Sequence, residues 1–229
     1  NSGSMMPFQN LLGQNMADFM IVFLSYTPDF QMAFITTDSS NFVGAPIDAR
    51  AANPIDDAIA AIDSIGIGGS GWEKGLLMLE NCMISGDCTQ WMRPNAKLIA
   101  IFLSDEPDHS NRTPISYINS FDALKPDSFV PFAIIGDPPQ GCSGQNGWNT
   151  QAGWGYYDIV QHYGSQWFSI CDGNWGAQLE SLAQNISVKT IFEIESEDPH
   201  VDTLRVWING QQSTEGWLYD EEQNAVVFE

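Results

Sequence analysis

The sequence has little positive charge. It contains 8 lysine and arginine residues beside 29 aspartate and glutamate residues, which gives a formal net charge of -21. A chain this acidic repels nucleic-acid phosphates and anionic lipid surfaces, so we expect no nucleic-acid partner. The sequence also lacks an apolar run of about 18 residues, and we therefore expect no membrane insertion by this chain.

Motifs of the common hydrolases and nucleotide-binding proteins are absent as well. The sequence has no GxSxG nucleophile motif, no GxxxxGK[ST] phosphate loop and no HExxH zinc motif. Its three histidines, His109, His162 and His200, are far apart and have no cysteine partner at zinc-binding spacing. We predict that the chain is not an enzyme.

The four cysteines form two separate pairs along the sequence, Cys82 with Cys88 and Cys142 with Cys171, and neither pair is a CxxC motif. This spacing favours disulfides over metal or redox roles. Disulfides persist in oxidising compartments, so we expect an extracellular or cell-surface protein, with the periplasm as the alternative. Any signal or anchor is expected outside this sequence, because no basic-then-apolar segment opens it.

Strand and helix signals alternate along most of the chain. Apolar residues at helical spacing predict a long helix over residues 7–26, and an almost wholly apolar stretch predicts a buried strand over residues 31–37. The continuous apolar run of residues 98–103 is typical of a fully buried parallel strand. Further helices are expected over residues 55–65, 72–83, 114–124, 156–163 and 175–185, and further strands over 129–136 and 167–171. We predict a doubly wound, mainly parallel α/β sheet over residues 1–188.

Short strand signals separated by turn residues replace this alternation near the end of the chain. Strands are expected over residues 190–195, 204–208, 217–219 and 225–228, with a hairpin turn at Asn209-Gly210. We predict a small antiparallel β unit over residues 189–229, which another segment completes.

Side chains with hard oxygen donors occur in three separate segments. Ser2 and Ser4 precede the first helix, Ser70 lies in a glycine-rich loop, and Asp105 follows the buried strand. Ligands of open α/β sheets bind at the carboxyl ends of the strands, so we expect these side chains to converge there. Oxygen donors from three loops are typical of a magnesium or calcium site.

These segments resemble the metal-ion-dependent adhesion site (MIDAS) of the von Willebrand factor A (VWA) family, a Rossmann-like fold. Asn1-Ser2-Gly3-Ser4-Met5 is similar to the end of the family's Asp-x-Ser-x-Ser motif. Gly69-Ser70-Gly71-Trp72-Glu73-Lys74-Gly75-Leu76 is similar to its second motif, and Leu103-Ser104-Asp105 to its third. The resemblance implies that the hydroxyl groups of Ser2 and Ser4 ligate a cation. It implies that Ser70, where threonine is commoner, joins them in the ligand-bound state, and that Asp105 contacts the cation directly or through water.

The resemblance also implies one divalent cation, with Mg²⁺ expected and Ca²⁺ or Mn²⁺ as alternatives. Neutral hydroxyls leave such an ion under-neutralised, so an acidic group of a protein or glycan partner can fill an open coordination position. We predict an extracellular, metal-dependent adhesion domain. The similarity of residues 204–228 to a β segment of some bacterial surface proteins indicates a bacterial adhesin.

Two other functions stay open at this point. The chain could be a structural assembly module of a surface protein or filament tip, in which the metal only stabilises the fold. A hydrolase that uses a metal-bound water at Asp105 is the second alternative, which the absence of a positioned base disfavours.

The family pattern begins one strand earlier than this sequence does. The leading aspartate of the first motif and the central strand would both precede Asn1, and we expect an upstream segment to supply them. A sheet without its central strand has open hydrogen-bonding edges, so we expect the chain not to be stable alone.

The remaining acidic and aromatic residues of these loops receive structural interpretations. Glu106 and Asp108 are interpreted as a solvated acidic turn. Asp38 and Asp48 are interpreted as turn residues rather than ligands of a second calcium ion. Core positions are favoured for three tryptophans, although any that are exposed near the cation could contribute to recognition: Trp72, Trp148 and Trp154.

Overall fold

The computed structural model describes residues 1–27, 29–144, 148–186, 191–194, 196, 199–208, 211–221 and 223–228. In these residues the helices are α1 (Met6–Tyr26), α2 (Pro54–Ile65), α3 (Gly75–Ser85), α4 (Cys88–Trp91), α5 (Pro114–Leu124), α6 (Tyr156–His162) and α7 (Trp175–Ile186). The strands of the first part are β1 (Gln31–Met32), β2 (Ile47–Asp48), β3 (Leu98–Ser104), β4 (Phe129–Ile135), β5 (Cys142–Ser143), β6 (Asn149–Thr150) and β7 (Trp167–Ser169). The strands of the last part are β8 (Ile191–Glu193), β9 (Val206–Ile208), β10 (Gln211–Ser213), β11 (Trp217–Asp220) and β12 (Ala225–Phe228).

A parallel sheet with the order β3-β4-β7 lies at the centre of the fold. Strand β4 pairs with β3 along its whole length, from Leu98 opposite Phe129 to Ser104 opposite Ile135. Six of the seven residues of β3 and all seven residues of β4 are apolar, as is typical of strands in a parallel sheet with helices on its faces. Because the strands are parallel and in register, the segments that follow Ser104 and Ile135 leave the sheet at the same edge.

Helices cover both faces of this sheet and form two hydrophobic cores. Side chains of β4 alternate between them: Phe132 and Ile134 face the core built by α1, α2 and α7, whereas Ala133 and Ile135 face the core built by α3, α5 and α6. The predicted mixed α/β fold with a doubly wound, mainly parallel sheet is therefore confirmed.

The strand predicted over residues 31–37 is much shorter than expected. Only Gln31–Met32 forms a strand, and it pairs antiparallel with Ile47–Asp48. Residues 33–37 continue without a strand assignment, although the carbonyl of Phe34 accepts a hydrogen bond from the Val43 N–H at 2.8 Å. An apolar stretch forms a ladder only beside another strand, and the described residues provide none along residues 33–37.

Strand β3 lies at an edge of the sheet, since among the described residues it pairs only with β4. Its neighbouring side chains Ile99 and Leu103 pack against the core of α1, α2 and α7. Ile101 lies between them on the same face of the strand and is 42% exposed. A mid-strand isoleucine that is exposed on a core-facing side indicates an uncovered space beside β3.

The two predicted cysteine pairs are both disulfide-bonded. Cys82–Cys88 joins α3 to α4, and Cys142–Cys171 joins β5 to the segment after β7. The second disulfide therefore connects the loops that follow two neighbouring strands of the central sheet. Paired cysteines are typical of proteins that fold in an oxidising compartment.

Small antiparallel sheets form the last part of the chain, as predicted. Strands β8, β12 and β11 make one sheet and β9 pairs with β10 in another. The predicted boundary between residues 188 and 189 and the predicted turn at Asn209-Gly210 lie outside the described residues. Within the described residues, no helix is both long enough and apolar enough to cross a membrane.

Candidate functional site

The first residues of the chain bring two serine hydroxyls next to Asp105. Ser2 is buried and precedes a single 3-10 turn, Gly3–Met5, which leads directly into α1. This turn folds the chain so that the Oγ atoms of Ser2 and Ser4 are 2.8 Å apart. Ser4 in turn makes a side-chain hydrogen bond with the carboxylate of Asp105. Three of the four predicted metal ligands therefore lie in one hydrogen-bonded cluster.

Asp105 is a buried carboxylate with unused hydrogen-bonding capacity. Its residue is 4% exposed, because it follows directly on β3 beneath the first turn of the chain. Burial raises the pKa of Asp105, while the hydrogen bond from Ser4 acts in the opposite direction and the charge of Glu73 raises the pKa further. Its Oδ1 atom has no hydrogen-bond partner among the described residues. An orphaned carboxylate oxygen beside two hydroxyls fits a hard cation better than it fits a closed polar core.

Glu73 is a second buried carboxylate at this site, and it was not predicted as a site residue. Its side chain accepts a hydrogen bond from the hydroxyl of Thr37 through Oε2, which also lies 3.6 Å from the backbone nitrogen of Asn1. The residue is fully buried, and its Oε1 atom has no hydrogen-bond partner in the described part of the chain. The only signal in the sequence is its position three residues after Ser70, in the second motif-like loop.

The glycine-rich loop is tied to the same cluster through its backbone. The N–H of Gly69 donates to the carbonyl of Asn1 at 2.9 Å, and the N–H of Ser70 donates to Oδ2 of Asp38 at 2.8 Å. A Cβ atom at Gly69 would collide with the side chains of Asn1 and Asp38, so this close approach requires glycine. Ser70 itself is exposed, and its hydroxyl accepts the N–H of Trp72 at 3.1 Å. Ser70 thus lies at the rim of the site.

The two aspartates that were interpreted as turn residues have different roles. Asp48 is exposed and accepts the N–H of Arg50 at 2.7 Å, which is a local turn contact. Asp38 is also exposed, but it binds the backbone of Ser70, 32 residues away in the sequence. Asp38 therefore holds the glycine-rich loop in place rather than a turn of its own segment alone.

The interpretation of Glu106 and Asp108 as a solvated acidic turn is wrong for Asp108. It is half-buried, and its Oδ1 atom accepts hydrogen bonds from the N–H of Leu76 at 3.2 Å and from the hydroxyl of Ser110 at 2.9 Å. The neighbouring N–H of Gly75 donates to the buried hydroxyl of Tyr156 at 3.0 Å. Burial raises the pKa of Asp108, whereas the bonds from Leu76 and Ser110 lower it. The loop after β3 therefore caps the start of α3 and fixes it relative to Asp105.

Three residues form the outer rim of the site on this side. Trp72 is 66% exposed, which contradicts its interpretation as a core residue. Its indole ring lies against the imidazole of His109, with ring centroids 4.8 Å apart. Glu106 is half-buried, with Oε2 at 3.8 Å from Nε2 of His109, and burial together with the charge of Asp105 raises its pKa.

Trp148 and Trp154, which were also predicted to be core residues, are both exposed. Trp148 is 43% exposed and Trp154 is 42% exposed, and Trp154 makes an edge contact with the ring of Tyr157 at 5.7 Å. Neither is a core residue, because both present a large part of the indole to solvent. Tryptophan burial could not be predicted from these glycine-rich loops, which carry no periodic pattern.

Hydroxyl groups and two carboxylates are the donors that this cluster offers. Within the described ranges, no group of three or more His, Cys, Asp or Glu side chains is arranged to hold a metal ion. The side chains of the cluster offer oxygen donors and no histidine or cysteine, and oxygen donors suit Mg²⁺, Ca²⁺ or Mn²⁺.

Comparison with known proteins supports the fold. No protein-family model and no curated protein matches the chain. Among solved structures, the fold is similar to a von Willebrand factor type A protein from Catenulispora acidiphila, with a TM-score of 0.50 and 16% sequence identity. The similarity covers 80% of this chain but only 39% of that one, so this chain spans well under half of the protein it matches. The chain therefore has a VWA-like fold.

Proposed function

We propose that this chain is a ligand-binding domain that uses one divalent cation, Mg²⁺ in the first instance, to bind an acidic group of an extracellular protein or glycan. Ser2, Ser4 and Asp105 would hold the cation, and Ser70 would join them when the ligand binds. The observation that carries this proposal is the orphaned Oδ1 atom of Asp105 beside the paired hydroxyls of Ser2 and Ser4. A VWA-like fold agrees with a binding or adhesion role.

Electrostatics also favours a cation here. Asp105 and Glu73 are both almost fully buried, and each has one carboxylate oxygen without a hydrogen-bond partner among the described residues. Two buried carboxylates that influence each other are costly unless a positive charge compensates them. A divalent cation would supply that charge and an open coordination position. The neutral hydroxyls of Ser2 and Ser4 would orient it without cancelling its attraction for a partner's carboxylate.

We extend this proposal to a segment upstream of Asn1, which would add a strand beside β3 and an aspartate to the site. Asn1 Oδ1 lies 3.1 Å from the hydroxyl oxygen of Thr37, whereas Ser4 contacts Asp105. The first residues of the chain therefore lie beside the end of residues 33–37 at Asn1 and beside the end of β3 at Ser4. The open edge of β3 and the exposed Ile101 mark the space that such a strand would cover.

Titration calorimetry with MgCl₂ and MnCl₂ tests the cation site directly. Wild type is expected to bind one ion, and Asp105→Ala is expected to abolish binding because it removes the charged donor. Asp48→Ala is the matched control, since Asp48 is an exposed aspartate in a local turn. Equal binding by wild type and Asp105→Ala would overturn the proposed site.

Adhesion assays separate a binding domain from a structural module. Wild-type protein on a surface is expected to retain protein or glycan partners in Mg²⁺ and to release them in EDTA. If EDTA lowers the melting temperature while partner binding persists, the metal only stabilises the fold and the assembly-module alternative is correct. Metal-dependent turnover of a hydrolase substrate panel would instead contradict the assignment of binding without catalysis.

A further inference from the structure

Trp72 is the most exposed of the large hydrophobic residues in the described part of the chain. It lies two residues after Ser70, the proposed ligand that stands at the rim of the cation site. Tryptophan is enriched at the centres of binding surfaces, and this indole lies next to the rim of the proposed site.

The indole is held in place rather than left to move with its loop. The N–H of Trp72 donates to Oγ of Ser70 at 3.1 Å, and the ring lies against the imidazole of His109. The N–H of His109 donates to the carbonyl of Glu73 at 2.6 Å, which anchors this second ring to the buried part of the site. The backbone of Trp72 is therefore tied to Ser70, and its indole contacts a ring whose backbone is tied to Glu73.

The surroundings of the indole are negatively charged. Glu106 lies near the same imidazole, with Oε2 at 3.8 Å from Nε2 of His109, so the carboxylate and the indole share one patch. The chain as a whole carries a formal net charge of -21. The π face of tryptophan attracts cations, and a nearby carboxylate adds to this attraction. The patch formed by Trp72, His109 and Glu106 is thus complementary to a positive group.

We propose that the patch of Trp72, His109 and Glu106 binds an arginine or lysine side chain of the protein partner, next to the acidic group that the cation binds. This pairing rests on the proposed function. A partner carboxylate must approach a strongly acidic domain, and a neighbouring basic residue on the partner reduces that repulsion. The partner segment would therefore carry an acidic and a basic residue a few positions apart.

Capped model peptides test this pairing. Each peptide contains one aspartate, followed after one, two or three glycines by arginine or by citrulline, which has the same shape without the charge. Affinities are measured by calorimetry in saturating Mg²⁺ and in EDTA. At the best spacing, the arginine peptide is expected to bind roughly two- to fivefold more tightly than the citrulline peptide in Mg²⁺.

Two tryptophan variants locate the effect. Trp72→Ala is expected to remove the difference between the peptides while it keeps the Mg²⁺ affinity, because the hydrogen bond from Trp72 to Ser70 comes from the backbone N–H, which alanine retains. Trp154→Ala is the matched control, since Trp154 is a partly exposed tryptophan of another loop, and it is expected to keep the difference. Trp72→Phe, which retains a weaker π face, is expected to give an intermediate result.

The outcomes distinguish the two proposals. Mg²⁺-dependent binding that is equal for arginine and citrulline at every spacing, or a preference for arginine that survives Trp72→Ala, would overturn the cationic patch and leave the cation site intact. Stacking of neutral methyl glycosides on Trp72, without a preference for arginine, would also overturn it. Peptide binding that ignores Mg²⁺ and Asp105→Ala altogether would overturn the proposed function and this pairing with it.

Discussion

Replacement of Glu73 by glutamine is expected to have opposite effects on the metal-free and the metal-bound protein. Glu73 is fully buried and its Oε1 atom has no hydrogen-bond partner among the described residues. Glutamine has the same shape, and its carbonyl can still accept the hydroxyl of Thr37. The variant removes a buried negative charge beside Asp105, and a buried charge without compensation costs more than a neutral polar group. Glu73→Gln is therefore expected to raise the free energy of unfolding in EDTA by about 1–3 kcal/mol.

Saturating Mg²⁺ is expected to reduce or reverse this advantage. At a free Mg²⁺ concentration of about 100 times the dissociation constant, wild type gains about 2.7 kcal/mol. The variant has lost a negative charge beside Asp105 and is expected to gain much less. Each kcal/mol corresponds to a shift in melting temperature of about 2–4 °C for a domain of 150–250 residues, so differential scanning calorimetry in EDTA and in Mg²⁺ resolves the effect.

Glu80→Gln is the matched control for this experiment. Glu80 is also a buried glutamate, but its Oε2 atom is paired with Arg112. Its replacement is expected to destabilise the protein equally with and without Mg²⁺, since Arg112 then loses its partner. If Glu73→Gln destabilises the metal-free protein as Glu80→Gln does, the carboxylate of Glu73 is already compensated and the electrostatic case for a cation fails.

The two disulfides are expected to stabilise the fold unequally, because their cysteines are 29 and 6 residues apart in the sequence. On the chain-entropy model, replacement of Cys142 and Cys171 by alanine lowers the free energy of unfolding by about 3.6 kcal/mol and replacement of Cys82 and Cys88 by about 2.2 kcal/mol; urea denaturation in the opposite order would contradict this account. Asp108→Asn is expected to lower the free energy of unfolding by about 1–2 kcal/mol and to speed hydrogen exchange at the Leu76 amide, and unchanged exchange would show that Asp108 does not cap α3. Burial raises the pKa of Asp105, so the native state holds its proton more tightly than the unfolded state, and in EDTA this carboxyl lowers stability as the pH rises above about 4. The gain in stability from Asp105→Asn in EDTA is therefore expected to be larger near pH 7 than near pH 4.5, and an equal gain at both values would refute the assignment.

Asp105 and its strand could be predicted because their signal is local. A run of seven mostly apolar residues that ends in acidic residues is typical of a buried parallel strand, and its end defines the ligand-binding edge of the sheet. The alternation of strands and helices then placed Ser2 and Ser4 near the same edge. Pattern and position together were sufficient to predict that these three residues lie close to one another.

Glu73 and Asp108 could not be assigned from the sequence because their environment comes from distant segments. The hydroxyl that binds Glu73 belongs to Thr37, 36 residues earlier, and the helix start that Asp108 caps lies 32 residues before it. Acidic residues near glycines and prolines usually mark solvated turns, and nothing within a few positions of either residue indicates burial. Only the folded chain brings these groups together.

The strand predicted over residues 31–37 is short for a similar reason, because strand pairing also depends on segments that are distant in the sequence. Those residues are apolar enough for a strand, yet only two of them pair, since the neighbouring ladder is absent from the described residues. Asn1 lies beside the end of this stretch, and Ser4 lies beside Asp105. A strand that paired with β3 and led into Asn1 would cover Ile101 and deliver its last side chain to the cluster of Ser2, Ser4 and Asp105. Completion of the sheet and completion of the cation site are then one structural event, so each would stabilise the other by the same free energy.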